Sequence, residues 1–283
     1  MTAYNGERFI NQAINSLVNQ NYTDWSMLIS DDESKDKTGD ICKEWAKKDN
    51  RITYHRQKKN IGMFPNFKFV LDSAQGEYFM WAAQDDIWEK DFLKVCVEHL
   101  EKNKNLGFAM TTVADADSFG RTLREMPDMR IFCGKPRFMK IARYVLQPEV
   151  LGRCNMMYSL FRTDCIKKIW SIYPQRHEWG SDYLFVLAGI SRFENIVDKK
   201  VLFKKRYGGF SSPKSSQYDR IDVIKKVEYK NPKNHMFPLS IFRNYFRGHM
   251  EALKGTSYLP LTAILLVMRL PRAFFIRLKQ KFS

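Results

Sequence analysis

The sequence predicts an α/β fold, a mostly parallel sheet with flanking helices, followed by a basic helical appendage. Three observations carry this. Short apolar runs alternate with amphipathic helical stretches over the first 110 or so residues, with short loops between them, the pattern of parallel strands joined by crossover helices. Several runs stop abruptly at acidic or Asn/Gly segments, and the carboxyl ends of parallel strands are where such folds bind ligands. Charge marks the appendage. The 283-residue chain carries a net +16. Residues 199–283 hold 19 basic and 4 acidic side chains, whereas residues 1–198 are close to neutral.

A neutral body with a basic tail points to an anionic surface that only the tail touches. Length and composition suit one large domain, residues 1–215, and an appendage over 216–283. Five scattered cysteines (Cys42, Cys96, Cys133, Cys154, Cys165) match neither a disulfide framework nor a zinc site, and fit a reducing compartment. The polar opening Met1-Thr-Ala-Tyr-Asn-Gly-Glu7 is no secretory signal. The longest apolar run, Leu259–Val267, is too short to span a bilayer. The expected location is cytoplasmic, peripheral on the inner face of the cell membrane.

Taken in order, Met1–Glu7 reads as a strand end and a turn. An amphipathic helix follows from about Arg8 to Asn19, with Ile10, Ala13, Ile14 and Leu17 on one face. A parallel sheet needs a strand before that turn, and the expectation is that this first strand is missing. Trp25–Ser30 is a strand running into Asp31-Asp-Glu-Ser-Lys-Asp-Lys-Thr38, where Ser34 or Asp36 suits the cap of a helix through Ile41, Cys42, Trp45 and Ala46. Ile52–Arg56 is the next strand. Asn60–Asn66 opens a helix bearing Phe67, Val70 and Leu71.

Phe79–Ala83 is long enough for one buried strand, and it ends in two adjacent carboxylates, Asp85 and Asp86. Such a pair is costly because each acid raises the other's pKa. A divalent cation relieves the repulsion, and oxygen ligands suit Mg²⁺ or Mn²⁺. A simple turn with Asp86 capping the next helix is the alternative. Further on, Gly107–Val113 reads as a strand, residues 115–150 as loop and helix, and Tyr183–Ile190 as an apolar helix introduced by Trp179-Gly-Ser-Asp182.

Four segments, Thr2–Glu7, Asp31–Thr38, Asn60-x-Gly-x-x-x-Asn66 and Gln84-Asp-Asp-Ile-Trp88, come in an order and at a spacing that resemble the GT-A glycosyltransferases of family 2 over roughly the first 90 residues. The resemblance implies a GT-A fold, Rossmann-like, binding a nucleotide-diphosphate sugar. It places Thr2, Tyr4, Asp31, Asp32, Asn60, Gly62 and Asn66 around the donor nucleotide. It makes Asp85 the ligand of a divalent cation on the donor diphosphate, with Asp86 assisting. The family often has a further acid where this chain has Ala83, which puts metal dependence in question.

The same resemblance makes Leu151–Arg162 a strand and turn bordering the acceptor. It makes Asp182 the general base, although relatives often carry Glu where this chain has Ser181; His177 and Glu178 are nearby candidates. In Lys204–Ser212 it suggests a basic loop, with Arg206, Gly208 and Gly209 closing over the diphosphate. Beyond it, Ile241–Leu253 and Tyr258–Phe282 set aromatic and aliphatic residues among Arg and Lys, which suits an anionic membrane surface; packing on the body is the alternative for the first of them. Aliphatic company around those aromatics argues against nucleic acid.

The function expected is inverting transfer of a sugar, from a UDP-sugar by analogy, to a lipid-linked or polysaccharide acceptor. The alternative is a catalytically inactive family member serving as a membrane-bound binding or assembly subunit.

Overall fold

The computed structural model describes residues 1–126, 128–146, 152–172, 181–206 and 239–267. Two sheets lie among them. β1 (Thr2–Ala3), β2 (Met27–Asp31) and β3 (Ile52–Arg56) form a parallel three-stranded sheet in that order. The larger sheet runs β4 (Tyr78–Phe79), β8 (Leu160–Arg162), β6 (Leu106–Ala116), β9 (Glu194–Arg206), β5 (Ile87–Trp88), with β7 (Thr122–Glu125) beside β6. β6 and β9 are parallel, and the other pairings in that sheet are antiparallel.

Two expectations change here. The larger sheet is mixed: its longest pairing, β6 with β9, is parallel, while the chain returns after β6 through a tight antiparallel hairpin whose Gly120 has φ +84°, a conformation open to glycine. And the first strand is not wholly missing: Thr2 and Ala3 pair with Ser30 and Asp31.

Helices cover the sheets as their apolar spacing requires. α1 (Ile10–Val18) buries Ile10, Ala13, Ile14 and Leu17, the face read from the sequence. α2 (Thr38–Lys48) and α3 (Met63–Asp72) follow the acidic and Asn/Gly loops, and α4 (Phe92–Lys102) packs on β6. α5 (Arg137–Leu146), α6 (Thr163–Ile172) and α7 (Ser181–Ile190) complete the second half. α7 is apolar on nearly every side and buried along most of its length, as a helix enclosed by other elements must be.

The core centres on Trp81, fully buried. Phe67, Phe79, Trp170 and Phe185 surround it with ring centroids 5.2–5.5 Å away, in the edge and tilted geometries aromatic clusters prefer. Trp81 thereby ties the strand before Asp85 to α6 and α7.

The described part of the appendage joins this core. α8 (Leu239–Ala252) packs on α7, with Gly248 close against Leu184. Arg192 fastens the end of α8 by donating to the carbonyls of Ala252 and Lys254 at 2.6 and 2.8 Å. Leu265 and Leu266, in a helix over 259–267, are buried, while Ile264 and Val267 face outward. Among the described residues no helix is long and apolar enough to cross a membrane. The expectation for 258–282 rests on that outward face and on 268–282, which lie outside the described residues.

Candidate active site

All four sequence segments meet at the carboxyl ends of β1 and β2, and side chains rather than chance proximity hold them there. Asn5 turns the chain after β1 with φ 46°, a left-handed conformation that asparagine tolerates. Its N–H donates to Ser34 Oγ and its side-chain carbonyl accepts from Lys35 N–H, at 2.9 and 2.8 Å. Gly6 N–H donates to Thr38 Oγ1 at 2.7 Å. Asp36 accepts from Thr38 N–H at 3.0 Å, a local turn one residue ahead of the helix cap, which falls on Lys37 without a side-chain bond.

Gln84 locks the first turn to the strand before Asp85. Its amide donates to the Tyr4 carbonyl at 3.0 Å and its Oε1 accepts from Tyr4 N–H at 2.8 Å. A β-carbon on Gly6 would meet the Gln84 side-chain amide, so a side chain at position 6 would displace Gln84. The third segment is tied to the second through Asp32, which accepts from Ile61 N–H at 2.7 Å and Gly62 N–H at 2.9 Å. Asn60 donates back to the Asp32 carbonyl at 3.1 Å.

These bonds revise several assignments. Asp31 is fully buried. One of its oxygens accepts from Ser34 N–H at 2.9 Å, the other from Tyr54 Oη and Arg56 Nη1 at 2.7 and 3.0 Å. Asp31 and Asp32 thus organise this loop, every one of their carboxylate oxygens accepting at least one bond from the protein. Asn66 is buried and bonds both the hydroxyl and the carbonyl of Ser30, anchoring α3. Thr2 lies in β1 opposite Ser30, behind the turn. Tyr4, Asn60 and Gly62 keep exposed surface on the rim. So does Arg56, whose side chain is 41% exposed; as the last residue of β3 it could have been found from the strand end alone.

Arg206 is corrected in the same way. It ends β9 and is buried, not part of a loop over the site. Its guanidinium donates to the Asp85 carbonyl at 2.8 Å, to Gln12 Oε1 at 2.6 Å and to the Ser118 carbonyl. Burial holds its pKa below the ordinary value. Gly208, Gly209, His177 and Glu178 lie outside the described residues.

The acid pair divides its labour. Asp86 is fully buried, accepting from Lys205 Nζ at 2.9 Å and from Arg206 N–H at 3.1 Å. Each of its oxygens accepts one bond, so it anchors β5 to β9. Asp85 remains, at 8% exposure. Mg²⁺ commonly takes one or two carboxylates and completes its shell with substrate phosphates and water; the donor set here suits that arrangement and no fuller cage. Among the described residues no group of three or more His, Cys, Asp or Glu could enclose a metal.

Lys205 was missed by sequence reasoning, hidden in a run of basic residues. Its ammonium lies 4.9 Å from the centre of the Tyr158 ring. Burial opposes its charge, but Asp86, Tyr158 and Asp85 outweigh that and hold it protonated. The same charge reaches Asp182, at the start of α7. Burial lifts Asp182 above the usual carboxylate range; its own helix N–H groups, the Cys154 thiol and Lys205 only partly offset this. One lysine therefore feels both acids near the β4–β5 crossing and is felt by the acid that opens α7.

Comparison with known proteins fits this geometry. Residues 1–170 match the family model described as glycosyl transferase family 2. The uncharacterized glycosyltransferase MJ1057 of Methanocaldococcus jannaschii is 25% identical over 239 residues, covering 83% of this chain and 77% of that protein. TuaG of Bacillus subtilis, assigned to teichuronic acid biosynthesis, is 32% identical over 109 residues; the match covers 38% of this chain and only 43% of TuaG. Among solved structures, S. aureus TarS 1–349 in complex with UDP-GlcNAc superposes with a TM-score of 0.58 at 16% identity, covering 94% of this chain and 87% of that one. That likeness extends the shared fold, GT-A, past the region of sequence similarity. The chain belongs to glycosyl transferase family 2.

Proposed function

We propose that the protein transfers a sugar, with inversion, from a nucleotide-diphosphate donor to a hydroxyl of a lipid-linked or polysaccharide acceptor. The observation that carries this is that Lys205, bonded to Asp86, is influenced electrostatically by Asp85 and in turn influences Asp182, the acid that opens α7. The nucleotide lies on the rim made by Tyr4, Asn60 and Gly62, with Tyr4 available to stack on the base and Arg56 to pair with phosphate or ribose oxygens.

Asp85 would hold a divalent cation, which would supply charge neutralisation at the leaving diphosphate. Asp182 takes the proton of the acceptor hydroxyl as its oxygen bonds to the anomeric carbon. The bond from that carbon to the diphosphate breaks, and the nucleoside diphosphate leaves with the electron pair. A carboxylate whose pKa is raised by burial is a better base than an exposed one. UDP is the preferred nucleotide, by analogy with the ligand in the TarS complex, and the polysaccharide acceptor follows the process to which TuaG is assigned. Exposed Ile264 and Val267 and the basic sequence of the C-terminal region support a site on the inner face of an anionic membrane.

An inactive binding subunit is the second reading, favoured by Ala83 and by the sparse metal donors around Asp85. The two separate in a transfer assay with polyprenyl-linked acceptors and UDP-, GDP- and dTDP-sugars. The enzyme reading expects turnover that Asp182→Asn lowers about 10²–10⁴-fold with nucleotide affinity kept. Nucleotide binding with no turnover on any acceptor would favour the subunit.

A further inference from the structure

Two described residues other than glycine hold a positive φ, and both stand in the loops of the candidate donor site. Asn5 is of a type that tolerates the left-handed region. Glu33, at φ 64°, is not: its β-carbon crowds the following carbonyl, and it lacks the short polar group that offsets this in asparagine. Glycine would hold the same turn without that cost. An unfavourable conformation persists where its surroundings over-determine it, and such an outlier points to a role for the side chain that imposes it.

That side chain reaches across to another loop. One oxygen of Glu33 accepts from Asn60 N–H at 3.0 Å, and the other accepts from Lys35 Nζ at 2.7 Å. Asp32, the residue before, accepts from Ile61 N–H and Gly62 N–H. Two neighbouring carboxylates therefore grip three successive backbone N–H groups. The helix α3 starts directly beyond, at Met63, so the grip lies at its positive end, where carboxylates are favoured.

Packing does little to hold the stretch before it. Gln57 N–H is tied to the Asp31 carbonyl at 2.8 Å, but Lys58, Lys59 and Asn60 are all exposed. Segments with few buried contacts open locally unless hydrogen bonds restrain them. Asn60 is restrained by its side-chain bond to the Asp32 carbonyl and by the Glu33 carboxylate on its N–H. A glycine at position 33 would relax the turn and lose the second of these.

We propose that Glu33 is a positioning residue for the donor nucleotide: its carboxylate latches the Asn60 N–H and fixes that side of the rim against the loop after β2. This rests on the reading of the rim as the nucleotide site. Glu33 acts through Asn60 and Gly62, and the strain in its backbone is the cost of carrying the latch on a turn that glycine would fit better.

The test compares Glu33→Gly, Glu33→Ala and Glu33→Gln with the parent chain. Titrations of UDP, GDP and dTDP with Mn²⁺ are set beside thermal unfolding and hydrogen exchange at the Asn60 amide. Glycine and alanine both lose the latch, and only alanine keeps the strain. Glu33→Gly should therefore unfold a few degrees above Glu33→Ala. Both should weaken the nucleotide that the parent binds by about three- to tenfold, and both should speed exchange at Asn60 about tenfold. Glu33→Gln, whose amide oxygen can accept the same bond, should bind within about twofold of the parent.

A purely structural role would make affinity follow stability, with Glu33→Gly the tighter binder of the two, and that result would overturn the proposal. So would Glu33→Gly binding as tightly as the parent, or Glu33→Gln binding as weakly as Glu33→Ala. A parent chain that binds none of the three nucleotides overturns the donor-site reading first and the role of Glu33 with it, an outcome told apart from the others because the parent itself is silent.

Discussion

Asp182 is where burial and chemistry pull in the same direction. Its carboxyl is raised above the ordinary range because the start of α7 is enclosed. As a base it must be ionised, so activity should be lost as pH falls through that raised value, at higher pH than an exposed aspartate would dictate. A pH profile of kcat/KM should therefore show an acid limb above the ordinary carboxylate range, and Asp182→Asn should abolish that limb along with most of the rate. Gly6 offers a second test at this scale. Gly6→Ala should drive Gln84 off Tyr4, costing about 1–3 kcal/mol for the two lost bonds and weakening nucleotide binding. Gln84→Ala should reproduce the loss without the clash, measured by denaturant unfolding and by titration of nucleotide.

At the scale of elements, β5 and β9 are joined through the buried pair Asp86–Lys205, and removing one partner should be worse than removing both. Lys205→Met leaves Asp86 charged and enclosed, which should cost about 3–5 kcal/mol. Burial already lifts Asp86 to about 6. A carboxyl raised in the fold is penalised above its folded pKa and relieved below it, so the variant should recover stability on acidification. Asp86→Asn combined with Lys205→Met should be more stable at neutral pH than Lys205→Met alone, a non-additivity that a double-mutant cycle would measure.

Elements also mark how far the sequence could be read. Helices α1 and α7 were legible because their burial is written in spacing or in unbroken apolarity. Ile52–Arg56 was legible as a strand for the same local reason. The antiparallel pairings of the larger sheet were not, since β4 with β8 and β5 with β9 meet across dozens of residues. In the site, Asp85 and Asp182 stood out by type and position. Lys205 and Arg206 looked alike in sequence, and only β9's register assigns one to Asp86 and buries the other behind Asp85.

For the molecule as a whole, one edge of the fold gathers loops from both sheets, and the C-terminal helices close the body behind α7 through Arg192, Leu265 and Leu266. The match with TuaG covers 43% of that protein. The central claim is that the gathered edge binds a nucleotide diphosphate through Asp85 and a metal. Calorimetric titration of UDP, GDP and dTDP, with and without Mn²⁺, on the parent chain and on Asp85→Ala, tests it most directly. Binding of one nucleotide, UDP, should require the metal, and Asp85→Ala should weaken it at least about tenfold, or 1.4 kcal/mol. A folded protein that binds none of the three, or binds one equally well with Asp85→Ala, would contradict it.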